Sequence, residues 1–266
     1  MLLNNFLYKT IRDQIKSLLW WSIGISIYCS AITFLYSLME NSIKELAAAY
    51  PSDIGKVFGI ENMSDIASAP GWLNAEMYSF MLPICFIIFA IFAGANSIAS
   101  EEENRTIEIL LSEPLSRGSL FLQKYLVFML NMFFMTSIIC LSVYIPSLII
   151  DMEISIYGIF AATFNVTLIS ALLGTGSFTI AALYGRRRIS LIIPIMISLI
   201  SYILNIASKF IDNVTSINRL SIFRYYDIPY AFENGVNAQV TLAFSAMMLA
   251  LVLVGYISFV RRDLRI

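Results

Sequence analysis

The chain has 266 residues, of which 59% are apolar and 13% charged, with a formal net charge of −1 and a mean hydropathy of +0.78. A water-soluble domain carries about 25% charged residues, so lipid must be the solvent for much of this surface. The near-zero net charge also excludes a bulk basic field for nucleic acid. Histidine is absent, and the three cysteines, Cys29, Cys85 and Cys140, lie inside apolar runs, where a thiol is a small packed hydrophobe rather than a metal or disulfide ligand.

Residues 1–17 place Leu3, Leu7, Ile11 and Ile15 at a four-residue spacing, with Lys9, Arg12, Asp13 and Lys16 between them. This pattern predicts an amphipathic helix lying in the membrane interface. It is not a signal peptide, because the apolar run after it is too long and no small-residue cleavage site closes it.

Six runs then meet the requirement of about 20 mainly apolar residues for a membrane span. They fall near residues 18–38, 78–99, 125–150, 157–184, 189–208 and 238–260, and none contains Asp, Glu, Lys or Arg. Apolar residues fill both faces of each run, which rules out strand alternation. Backbone groups in lipid must be satisfied within the segment, so the runs are helices. The sequence predicts an all-α polytopic membrane protein with a single transmembrane domain over 1–266.

Basic residues set the orientation. Twelve of the 17 fall on one side, in the N-terminus, the loops after spans two and four, and the C-terminus. The positive-inside rule assigns that side to the cytoplasm. The segments 39–77 and 209–237 are then extracellular. Arg186, Arg187 and Arg188, in the turn after span four, are a strong local orientation signal and a candidate secondary cytoplasmic contact. Low His and Gly with abundant Ile, Asn and Ser suits an AT-rich bacterial genome.

The spans carry no acid, base or histidine that could relay protons, which argues against an ion-coupled pump. No GxxxxGK[ST] loop occurs, so the chain has no usual cradle for ATP. Catalytic, cofactor-binding and metal sites are expected to be absent. Gly174 and Gly176 suggest close helix packing in span four, and Asn96, Asn131, Asn165 and Asn205 suggest interhelical hydrogen bonds.

Residues 100–124 form the informative loop. Glu101, Glu102 and Glu103 lead to Thr106, a candidate N-cap, followed by Glu108 near the positive helix end. Ile107, Leu110 and Leu111 share one helical face, and Pro114, just after Glu113, disfavours continuation. A short amphipathic helix with an acidic flank suits a groove on a soluble partner.

This run resembles the hallmark of type-2 ABC exporter permeases. The match covers Glu101, Glu103, Thr106, Glu108, Leu110, Leu111, Ser112, Pro114, Ser116, Arg117 and Lys124; Arg105 stands where the family often has Gly. A weaker echo is Leu220-Ser221-Ile222-Phe223, with Ile222 in place of a Pro. The resemblance implies a permease whose loop after span two is a coupling helix. Glu101, Glu103, Thr106, Ile107, Glu108, Leu110, Leu111 and Glu113 would dock into a cytosolic ABC ATPase. Two ATPase copies would carry ATP and Mg, and a second permease chain, identical or related, would complete the pathway. The expected cargo is a hydrophobic or amphipathic solute, first a peptide or toxin. Residues alone leave a second reading open, a membrane enzyme or non-transporting scaffold using the acidic loop.

Overall fold

The computed structural model describes residues 2–49, 68–103, 116–209 and 217–262. Among these residues the structure is wholly helical. Helix α1 runs Leu2–Ala49, the short α2 Ala69–Leu73, α3 Met81–Glu103, α4 Arg117–Ile149, α5 Ile156–Tyr184, α6 Arg187–Ala207, α7 Ile228–Asn234 and α8 Ala238–Arg261. Six of these, α1, α3, α4, α5, α6 and α8, are long and apolar enough to cross a membrane. The chain direction alternates between successive spans. One end of the bundle, here called proximal, therefore holds the start of α1, the α3–α4 and α5–α6 connections and the end of α8.

Residues 2–17 are helical as the spacing predicts, but they run on without a break into the first span. No Pro occurs in α1, and its one Gly is Gly24, so nothing in the sequence interrupts the ladder there. The helix likewise continues past Met39 to Ala49, into the segment expected to be extracellular.

Helix α5 is the centre of the bundle and packs against α3, α4, α6 and α8. Its tightest neighbour is α3. A Cβ added at Gly94 would overlap the Gly174 carbonyl, and one at Gly174 would fall 2.7 Å from the Phe128 ring and 2.8 Å from the Ala90 carbonyl oxygen. Gly176 has nothing within 4 Å of such a Cβ. Of the two glycines singled out in this span, only Gly174 faces the crossing.

Apolar burial adds little between helices that leave lipid for protein, so small residues and polar contacts must hold them. The Ser177 hydroxyl lies 2.8 Å from both the Ile91 and Ser190 carbonyl oxygens, linking α5 to α3 and α6. Thr179 donates to the Leu251 carbonyl of α8 at 3.0 Å. Helices α1 and α4 meet through Asn131, whose amide donates to Gln14 at 2.6 Å, and through Ser142, whose hydroxyl donates to Ser26 at 2.8 Å. Such bonds contribute about 0.6 kcal/mol each on average.

At the distal end, α2, a π-helical turn at Asn74–Tyr78, two 3-10 turns at Ile217–Leu220 and Ile222–Tyr225, and α7 cover the bundle. Trp72 donates to the Ile32 carbonyl at 3.1 Å. Tyr226 donates to the Tyr78 carbonyl at 2.5 Å, and Tyr78 shares a hydrogen bond with Thr163 at 2.8 Å. The buried Tyr78 ring also stands edge-on to Phe232, with centroids 5.5 Å apart.

Substituting Gly174→Val should overpack the α3–α5 crossing and cost about 2 kcal/mol or more. Gly176→Ala should leave stability unchanged or slightly raised. Thermal unfolding of both variants in mild detergent checks the contrast; equal losses would remove the special place of Gly174.

Candidate coupling site

The last three residues of α3 are glutamates. Successive residues of an α-helix point about 100° apart, so three neighbouring acids at a helix end cannot share one target. Each finds a partner on a different element.

Glu101 pairs with the Lys124 ammonium on α4. Lys124 is 1% exposed, and its Nζ also donates to the Ser97 carbonyl at 2.7 Å. A buried lysine without these partners would be strongly unfavourable. Glu101 lies two residues before the end of α3 and Lys124 seven residues into α4, and the antiparallel packing of the two helices lets the long lysine side chain reach the carboxylate.

Glu102 points into the protein and pairs with Arg262, just past the end of α8. Its side chain is 3% exposed and that of Arg262 19%. Gly185 makes room for them. It ends α5 in the left-handed region at φ 61°, and its amide donates to the Ala181 carbonyl at 2.8 Å. Any Cβ there would overlap the Glu102 carboxylate and come 2.9 Å from Arg262. Glycine is thus required both for the backbone conformation and for the ion pair. Arg117, at the start of α4, donates to the Arg262 carbonyl at 2.8 Å.

Glu103 accepts from the Arg187 backbone N–H at 2.9 Å. Arg186 is the N-cap of α6 and offers no side-chain cap. The carboxylate of Glu103 therefore supplies the acceptor that the first turn of α6 lacks, at the end where the helix dipole favours negative charge. The Arg186, Arg187 and Arg188 side chains are exposed beside it.

The predicted site residues thus divide. Glu101 and Glu103 sit in this charged joint, and Arg187 meets Glu103 through its backbone. Thr106, Ile107, Glu108, Leu110, Leu111 and Glu113 lie outside the described residues. Sequence reasoning gave no role to Glu102 beyond its place in the acidic run and assigned none to Arg262, although the two form a largely buried pair. The signal for Glu102 was available in the 100° step, which turns one of three consecutive acids inward. Nothing in the local sequence pointed to Arg262, because it lies 160 residues away. Among the described residues no cluster of His, Cys, Asp or Glu could hold a metal ion, and Cys29, Cys85 and Cys140 are free thiols.

Six apolar spans, four of them packed against the central α5, with charged side chains paired in a joint at one end, define a polytopic membrane protein of the permease class. The model of the family described as ABC-2 family transporter protein matches residues 5–264, and the chain belongs to that family. It is a multi-pass membrane permease of an ABC transporter. Such permeases pair with ATPase subunits and have no ATPase activity or cofactor site of their own. No curated protein matches the sequence.

Replacing Arg262→Ala should strand the buried Glu102 carboxylate and destabilise the protein by about 3 kcal/mol. The double variant Glu102→Leu/Arg262→Leu, which removes both charges, should recover most of that loss. Unfolding in detergent measures both; a double variant as unstable as the single one would show that the pair is not the source of the effect.

Proposed function

We propose that the chain forms one half of the pathway of an ATP-driven exporter. It works as a homodimer or heterodimer of permeases on two cytosolic ATPase subunits, with both termini in the cytoplasm. The observation that carries this reading is the joint at the end of α3. The segment 104–115 leaves from a point where Glu101, Glu102 and Glu103 are tied to α4, to the end of α8 and to α6 respectively. A load applied to that segment by an ATPase is passed to three further helices through charge-assisted contacts rather than through α3 alone. Family membership supports the ATPase as the source of the load.

In this reading Glu101, Glu103, Thr106, Ile107, Glu108, Leu110, Leu111 and Glu113 couple to the ATPase, and Arg186, Arg187 and Arg188 make a secondary contact beside it. The excess of basic residues at the proximal end supports its cytoplasmic location. The cargo is a hydrophobic or amphipathic solute, with a peptide or toxin first. Supporting this, the charged residues of the described spans all lie near helix ends, leaving no charged site at mid-membrane for a small ion. Composition favours a bacterial source.

Purification of the tagged chain from mild detergent should recover a cytosolic ATPase in stoichiometric amount, and scrambling residues 106–111 should lower that recovery by at least about tenfold, or about 1.4 kcal/mol of binding. Glu103→Ala and Leu110→Ala should each cut substrate-stimulated ATPase activity while the chain stays in the membrane. Full activity after both changes would count against the coupling assignment.

A further inference from the structure

The distal end of the bundle, opposite the charged joint, carries two cavities that neither coupling nor helix packing uses. The first has a volume of about 240 Å3 and lies where the end of α6 and the segment before α7 meet the π-helical turn. Its polar lining is Asn74, Ser79, Asn205, Lys209, Arg224 and Asp227. The second, of about 190 Å3, is a cleft between α3 and α6 walled by Ile84, Ile87, Ile88, Ile91, Ile195 and Leu199. Tyr202 and Phe223 line both spaces, and their rings meet edge-on with centroids 5.3 Å apart. A polar chamber and a greasy cleft thus share one wall.

The dimensions suit a single leaflet. Along α3 the cleft runs from Pro83 to Ile91, about 12 Å at 1.5 Å per residue, which fits within half of a hydrocarbon core about 30 Å thick. The polar chamber sits at the outer end of that path, where headgroups lie.

Charge selects the occupant. Among the described lining residues, Lys209 and Arg224 against Asp227 leave one positive charge in excess. The Asp227 carboxylate already caps α7 by accepting from the Tyr230 amide at 3.0 Å. Partial burial lowers the pKa of the Lys209 ammonium below the usual lysine value, and the Asp227 carboxylate opposes that shift. An anion beside Lys209 would favour its charged form further. An acyl chain gains little by moving from lipid to an apolar cleft, so the cleft supplies shape and the headgroup contacts supply preference.

We propose that this composite site holds one anionic phospholipid, its headgroup between Lys209 and Arg224 and one acyl chain in the cleft between α3 and α6. Native mass spectrometry of the full chain, titrated with phosphatidylglycerol, phosphatidylcholine or inorganic phosphate, tests it. One phosphatidylglycerol should be retained with a preference of about tenfold over phosphatidylcholine. Lys209→Gln/Arg224→Gln should abolish that preference, while Arg186→Gln/Arg188→Gln at the other end should keep it. Leu199→Trp, which fills the cleft, should weaken phosphatidylglycerol with long acyl chains but not a dihexanoyl analogue, and it decides the matter if the double variant does not fold. Equal retention of the two lipids would overturn the proposal, as would a preference that survives Lys209→Gln/Arg224→Gln. So would displacement of the lipid by inorganic phosphate alone, or a dimer of the chain that covers the cleft and carries no lipid.

Discussion

Where α3 crosses α5, the backbone of one helix lies against the backbone of the other, because Gly94 and Gly174 place no side chain between them. Lipid tails are as apolar as leucine, so this approach cannot be driven by escape from water and must rest on close packing and polar contacts. It brings Ser177 within 2.8 Å of carbonyl oxygens on two other helices, α3 and α6. The remaining spans assemble around that pair, with Thr179 holding α8 and the Tyr125–Thr175 contact at 3.3 Å joining α4. A wider crossing would loosen every one of these contacts together.

The two ends of the bundle treat charge differently. At the proximal end acids and bases neutralise one another across helices, and Lys124 and Glu102 are almost fully buried there. Pairing of this kind fixes which helix end stands beside which, since a shifted neighbour would leave a charge unmatched. At the distal end Lys209 and Arg224 line a chamber whose described wall includes one carboxylate, Asp227. The first arrangement specifies the protein's own geometry, and the second lines a cavity.

How much of this was legible beforehand follows from the range of each interaction. Spans could be read directly, because hydropathy over about 20 residues is a local property. The reasoning that an amide in a greasy helix needs a partner held for Asn131, which reaches Gln14, but not for Asn96, whose buried Oδ1 has no hydrogen-bond partner among the described residues. Gly174 and Gly176 looked equivalent, because the face a glycine presents depends on helix rotation, which three-dimensional packing sets. Glu101 and Glu103 were found through a short motif, but the motif says nothing of Lys124 as a partner for one and the α6 backbone for the other. Arg262 was beyond reach, as no local pattern ties it to Glu102. The distal chamber draws on the π-helical turn, α6 and the segment before α7, which are brought together only by the fold.

The Glu102–Arg262 pair also has a place in time. The two residues are 160 positions apart, and a ribosome delivers the acid long before the base. The partner of Glu101, Lys124, lies on the next helix, whereas the partner of Glu102 follows α8. During that interval Gly185 arrives and leaves the space beside the carboxylate unfilled, keeping it open for the guanidinium. Of the three contacts in the proximal joint, the one between Glu102 and Arg262 is therefore the last that the chain can make, because Arg262 follows the final span.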